Sequence, residues 1–173
     1  MNIELRRARL DDAAFLLALI TDEETRPFLG GRVGGTLEDV LAEIERSERE
    51  PDAFGWFVVE ADGERAGGVG FHRTNERTRI VEAGRLAIHP GFRGRGIGVE
   101  VARRFQRLLL VDLDFHRMEV QIYAFNERAI VHAEQAGYVR EGVKRRAYFK
   151  HGEWQDAVLF ALLREDLDVT KSA

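Results

Sequence analysis

The chain has no cysteine. A disulfide framework, a cysteine-ligated zinc site and a thiol nucleophile are therefore excluded. No apolar run approaches the roughly 18 residues of a membrane-spanning helix, and the N-terminus lacks the apolar core of a signal peptide. A cytoplasmic location without membrane attachment is the expectation. Excess positive charge is missing too. Against 26 Lys and Arg stand 30 Asp and Glu, a net charge of −4, whereas nonspecific nucleic-acid binding rests on clustered positive charge. No nucleic acid and no metal are expected as partners. The acidic balance suits a cationic ligand, and ordinary solubility equally well. Repeats, low-complexity tracts and linkers are also absent, so residues 1–173 are expected to form a single domain. That length is enough to bury about 70% of the unfolded surface.

What is present is concentrated in one segment, Arg93-Gly94-Arg95-Gly96-Ile97-Gly98. It follows an extended run, Arg85 to Pro90, and opens a helix with Val101, Phe105, Leu108 and Leu109 as its apolar positions. A glycine-rich turn at a helix start presents unpaired N–H groups and the positive end of the helix dipole. Without a Cβ, those amides can approach a ligand closely. The arrangement suits a phosphate, with arginines adding charge around it; a plain strand-to-helix turn is the alternative. Spacing narrows the choice. A dinucleotide fingerprint needs a third glycine where Val99 stands, and no Gly-Lys-Ser/Thr follows as a nucleoside-triphosphate loop requires.

The segment resembles the coenzyme A signature of the GNAT family of N-acetyltransferases, R/Q-x-x-G-x-G/A, filled by Arg93, Gly96 and Gly98. A second stretch, residues 126–167, is similar to the end of the branch holding ribosomal-protein N-terminal and polyamine acetyltransferases. Its matching positions are Asn126, Ala129, Gly137, Tyr138, Glu141, Gly142, Arg146, Gly152 and Asp156. The two motifs span roughly residues 80–167. The resemblance implies acetyl-CoA as cosubstrate, its pyrophosphate on the turn formed by Arg93, Gly94, Arg95, Gly96, Ile97 and Gly98. It implies that Leu86, Ala87 and Ile88 pair their main chain with the pantetheine arm, and that Asn126 contacts that arm. The implied reaction moves an acetyl group to a primary amine by direct attack in a ternary complex. A protein N-terminus, a polyamine, an aminoglycoside or another small amine is each admissible as acceptor. A catalytically silent CoA-binding sensor or partner module is the alternative, and homodimers are common among relatives.

Hydrophobic periodicity gives the element order β-α-α-β-β-β-α-β-α-β-β. Residues 3–8 read as a strand, after which Asp11-Asp12 is expected to cap a helix. A loop over 23–35 precedes a helix capped by Thr36. Strands follow at 54–60, 65–74 and 79–88, the first two joined by the turn Ala61-Asp62-Gly63-Glu64. After the glycine-rich turn and its helix come a strand at 117–124, a helix capped by Asn126, and a hairpin of 138–149 with 154–163. The order is that of an α+β (mixed α/β) fold. As a GNAT fold, it implies a central twisted, mostly antiparallel sheet of six to seven strands flanked by about four helices.

Amine acetylation needs a neutral nucleophile, so a base, acting directly or through an oriented water, is worth about 10²- to 10⁴-fold. Glu82 is the candidate, the sole acid in Val81-Glu82-Ala83-Gly84, and many GNAT members carry an acid at this point. Strict alternation would put it on one face with Leu86 and Ile88. A solvated carboxylate, or a partner for Arg85, is the alternative. Asn126 is equally well explained as an ordinary helix cap. No acid for the departing thiolate is assigned: the residues at the family's tyrosine and serine positions are Ala133 and Ala129. His132 reads as a surface residue, and Tyr148 is a weaker candidate. Arg26, Phe28, Arg32, Phe71, His72 and Arg73 fall where relatives shape an acceptor pocket. Trp56 and Trp154 read as packing residues, and Lys144-Arg145-Arg146 as a solvated face.

Overall fold

The computed structural model describes residues 1–30 and 35–169; Arg32 lies outside them. Among the described residues, seven strands are ordered β1-β2-β3-β4-β5-β7-β6: β1 Ile3–Arg7, β2 Phe54–Ala61, β3 Glu64–Asn75, β4 Ile80–Ile88, β5 Arg117–Tyr123, β6 Val139–Lys150 and β7 Glu153–Leu163. Pairing is antiparallel for β1–β2, β2–β3, β5–β7 and β6–β7, and parallel for β4–β5. Four helices of nine or more residues accompany them: α1 Ala13–Thr21, α2 Leu37–Arg49, α3 Ile97–Arg107 and α4 Glu127–Gln135. A π-helical turn, Leu108–Asp112, extends α3, and a last helical turn covers Asp166–Val169. This is the mixed α/β architecture expected. Among the described residues, no helix is long and apolar enough to cross a membrane.

The chain divides into two compact units, Met1–His72 with Gly84–Val101, and Arg73–Ala83 with Ala102–Ala173. In the first, Leu16, Leu19 and Ile20 of α1 and Val40 and Ile44 of α2 bury against Trp56, Val58 and Ala87. The α2 start follows from local chemistry. Thr36 Oγ1 accepts from the Asp39 N–H at 3.2 Å while the Asp39 carboxylate takes the Thr36 N–H, a reciprocal cap. In the second unit, Ile122 of β5, Ala133 of α4, and Val158 and Phe160 of β7 form a core. Both hairpin turns place two successive residues at positive φ, Asp62 (51°) with Gly63 (84°) and His151 (55°) with Gly152 (78°). That backbone matches the right-handed twist of the flanking strands.

Asp12 stands at the N-cap position of α1 yet makes no side-chain cap. Its carboxylate, inaccessible to solvent, accepts from Arg6 at 2.6 and 2.9 Å, from Arg65 at 2.7 Å and from the Arg9 N–H at 2.8 Å. A two-guanidinium site outcompetes one backbone amide, which is why the expected cap does not form. Burial alone would raise this carboxyl, but the hydrogen bonds from Arg6, Arg9 and Arg65 outweigh it and hold it at about 2. A depressed carboxylate stabilises the fold above its unfolded pKa and loses that contribution as pH falls through the folded one. Urea unfolding between pH 4 and pH 2 should therefore show the wild type losing about 2 kcal/mol that Asp12→Asn, less stable at pH 7, no longer has to lose.

Candidate active site

The glycine-rich turn belongs to the first unit. Gly94 and Gly96 have φ of 75° and 73°, and a Cβ built on either would meet nothing within 4 Å. The turn is thus shaped by left-handed glycines and open on its outer side, with Gly98 already inside the first turn of α3. Arg95 is exposed and lies over the Phe92 ring at 5.4 Å. Arg93 points elsewhere. Its Nε donates to the Ile88 carbonyl at 3.0 Å, and its terminal nitrogens reach Thr25 Oγ1 at 2.8 Å, Glu24 at 2.5 Å and Asp22 at 3.4 Å. Its side chain fastens the 22–25 loop to the end of β4. That loop borders an open groove lined by Ala18, Thr21, Asp22, Glu23, Glu24 and Pro90. Hydrogen bonds from Thr25, aided by Arg93, lower the Asp22 pKa.

Leu86, Ala87 and Ile88 end β4. Ala87 is buried in the first core, and the Ile88 carbonyl is already taken by Arg93. Arg85, just before them, has φ 57°, a conformation that costs a non-glycine residue about 1–2 kcal/mol. Its guanidinium makes a bidentate pair with Glu43 of α2 and lies 5.1 Å from the Trp56 ring. Two expectations change as a result. Arg85 is not the partner of Glu82, and a left-handed residue between Glu82 and Leu86 interrupts the strict alternation that would link their faces.

Glu82 belongs to the second unit, in register with Glu119 on parallel β5. Two carboxylates side by side would repel, but Arg117 pairs with Glu119 at 2.7 Å and with Glu141 of β6. Two residues along the same face of β5, Gln121 Nε2 donates to Glu82 Oε2 at 2.7 Å. Tyr148 of β6 donates its hydroxyl to Gln121 Oε1. Its reach follows from an irregularity in β6. The register with β7 shifts between Lys144 and Tyr148, Arg146 takes φ 49°, and its N–H is held by Asp156 Oδ1 at 2.7 Å. Such bulges re-aim the residues that follow. Burial pushes the Tyr148 phenol up, and the charges of Glu82 and Tyr123 add to that. Tyr123 stands edge-on to Tyr148 with centroids 5.9 Å apart, and stacks on Phe125 at 5.1 Å.

Asn126 caps α4, its Oδ1 accepting from the Ala129 N–H at 3.2 Å. This orients the side-chain amide with Nδ2 turned away from the helix. Ala133 is core. His132 differs from its reading as a surface residue: its Nε2 is buried without a hydrogen-bond partner. Phe71 is buried near Phe57, and Arg73 pairs with Glu76. Trp56 is core, whereas Trp154 is 56% exposed and packs only edge-on to Phe149 among the ring contacts observed. The Gln121 bridge is the feature of this arrangement that sequence reasoning missed; β5 alternation marks Gln121 merely as a polar-face residue.

Comparison with known proteins bears on this arrangement. Residues 2–139 match the family described as the acetyltransferase (GNAT) domain. Among curated proteins, an SPbeta prophage-derived uncharacterized N-acetyltransferase of Bacillus subtilis is 24% identical over 129 residues, 75% of this chain and 72% of that protein. Spermidine N(1)-acetyltransferase of Escherichia coli is 27% identical over 108 residues, 62% of this chain and 58% of that enzyme. Among solved structures, spermidine N-acetyltransferase from Vibrio cholerae in complex with CoA and spermine aligns with a TM-score of 0.85 at 22% identity, covering 95% of this chain and 97% of that one. With the family model spanning most of the chain, the protein belongs to the GNAT acetyltransferases, and its reaction is acetyl-CoA-dependent acetylation of an amine.

Proposed function

We propose that the acceptor is a polyamine and that Glu82 removes the proton from its attacking amine, directly or through one water. The observation that carries the acceptor reading is the acidic groove of the first unit. Asp22, Glu23 and Glu24 supply three carboxylates there, and Arg93 balances only one of those charges. A linear polycation gains from such a field where a neutral amine does not. The two spermidine acetyltransferases similar to this chain support the same reading. Acetyl-CoA is placed with its pyrophosphate on the amides of residues 93–98, its pantetheine arm along Leu86–Ile88 and Asn126 beside it. Residues 1–173 are read as one catalytic domain, located in the cytoplasm. A homodimer would have Val139, Val143, Phe149 and Trp154, all exposed, as apolar surface to cover.

Incubation with acetyl-CoA and a panel of spermidine, spermine, an aminoglycoside and a peptide with a free N-terminus, read as free thiol release, tests the acceptor. Spermidine or spermine should give the highest kcat/KM, falling steeply as salt rises. A peptide or aminoglycoside preference overturns the polyamine reading, and no release with any amine favours the silent CoA-binding alternative.

A further inference from the structure

Three side chains from three strands form a directed chain in the second unit: the Tyr148 hydroxyl, the Gln121 amide and the Glu82 carboxylate. An amide has one accepting and one donating end, and a half-turn exchanges them. With the accepting end toward Glu82, two oxygens would face each other and the carboxylate would be pushed aside. The carboxylate decides the orientation: it can only accept, so the amide N–H turns to Glu82 and the amide oxygen to Tyr148. The Tyr148 hydroxyl, able to donate or accept, donates to that oxygen and so reinforces the orientation.

We infer that Gln121 is a positioning residue for Glu82, aiming one carboxylate oxygen by holding the other, and that Tyr148 reinforces the donating orientation of Gln121. The inference rests on the reading of Glu82 as base. It gives Tyr148 a role other than protonating the departing thiolate. A carboxamide does not pass a proton along, and the single phenolic proton is already committed to Gln121. The strands that supply Gln121 and Tyr148 are fixed independently of it. Gln121 lies within the β5–β7 ladder opposite Leu159, and Tyr148 lies opposite Gln155 just beyond the irregularity held by Asp156.

The test is a kinetic cycle with the amine giving the highest rate in the panel: Gln121→Leu, Tyr148→Phe and Glu82→Gln, and each of the first two combined with Glu82→Gln. In the wild-type background, Gln121→Leu should lower kcat about tenfold or more, the scale of one hydrogen bond to a charged group. Tyr148→Phe should lower it less. Acetyl-CoA KM should stay constant in both. In the Glu82→Gln background neither change should lower kcat further, because residues acting through one another are non-additive. Equal losses in both backgrounds overturn the inference, since Gln121 would then act by another route. So does full activity in both Gln121→Leu and Tyr148→Phe while Glu82→Gln is impaired, which leaves the base reading standing. Full activity in Glu82→Gln alone refutes the base itself, and this inference with it. Tyr148→Phe removes a single oxygen and guards against a folding failure of Gln121→Leu.

Discussion

Glu82→Gln should lower kcat by about 10²-fold or more while hardly changing acetyl-CoA binding. The substitution keeps shape and the capacity to accept from Gln121, but removes the basic site. An ordinary glutamate titrates near 4.3 and an alkylamine near 10. Direct transfer from an ammonium is therefore uphill by several kcal/mol, and a water held between the two suits the task better than direct contact. The position is well prepared for that chemistry. Glu119, its register neighbour, is paired with Arg117, and Gln121 is committed to one oxygen, leaving the other for the water. Steady-state kinetics with a verified acceptor, alongside calorimetric titration with CoA, checks both halves. An unchanged kcat would mean that the amine loses its proton to solvent before attack and that Glu82 is part of the β4–β5 pairing and nothing more.

The other large effect is expected at Gly96. Replacing it by valine should abolish CoA binding, seen as loss of the calorimetric signal, with the protein still folded. A Cβ there meets no neighbour within 4 Å, so the free protein has room for it; on the proposed placement of acetyl-CoA, the space it fills is the space the pyrophosphate needs to reach the amides. The left-handed φ of 73° adds a backbone cost of about 1–2 kcal/mol, and a control separates the two effects. Gly63, in the β2–β3 turn, has φ 84° and equally open surroundings. Gly63→Val should lower thermal stability by a similar amount and leave CoA affinity intact. Retained affinity in Gly96→Val would place the pyrophosphate elsewhere.

The features legible in the sequence are those whose chemistry is local. Thr36 and Asp39 form their reciprocal cap from residues three apart, Asp62-Gly63 carries its turn in two residues, and the glycine-rich turn declares itself by composition. The element order followed from periodicity, and the GNAT resemblance followed from two motifs. Long-range competition hid the rest. Asp12 looks like a helix cap until Arg6 and Arg65, the latter 53 residues away, claim it. Left-handed Arg85 and Arg146 leave no mark in the sequence, because arginine is not a residue that announces positive φ. The bridge from Glu82 to Gln121 to Tyr148 joins positions 39 and 27 residues apart, a proximity that only the strand order creates.

Arg93 bears on how far this protein could be divided into exchangeable parts. The residue that heads the CoA signature spends its guanidinium on Asp22, Glu24, Thr25 and the Ile88 carbonyl. The acidic loop and the glycine-rich turn are therefore not separate modules. Transplanting a loop of different acceptor preference over residues 22–28 would strip Arg93 of three partners and free a cation beside the turn. Successful grafts should be those that carry an acid at position 22 or 24 with them, and acceptor preference in such hybrids should change together with CoA affinity.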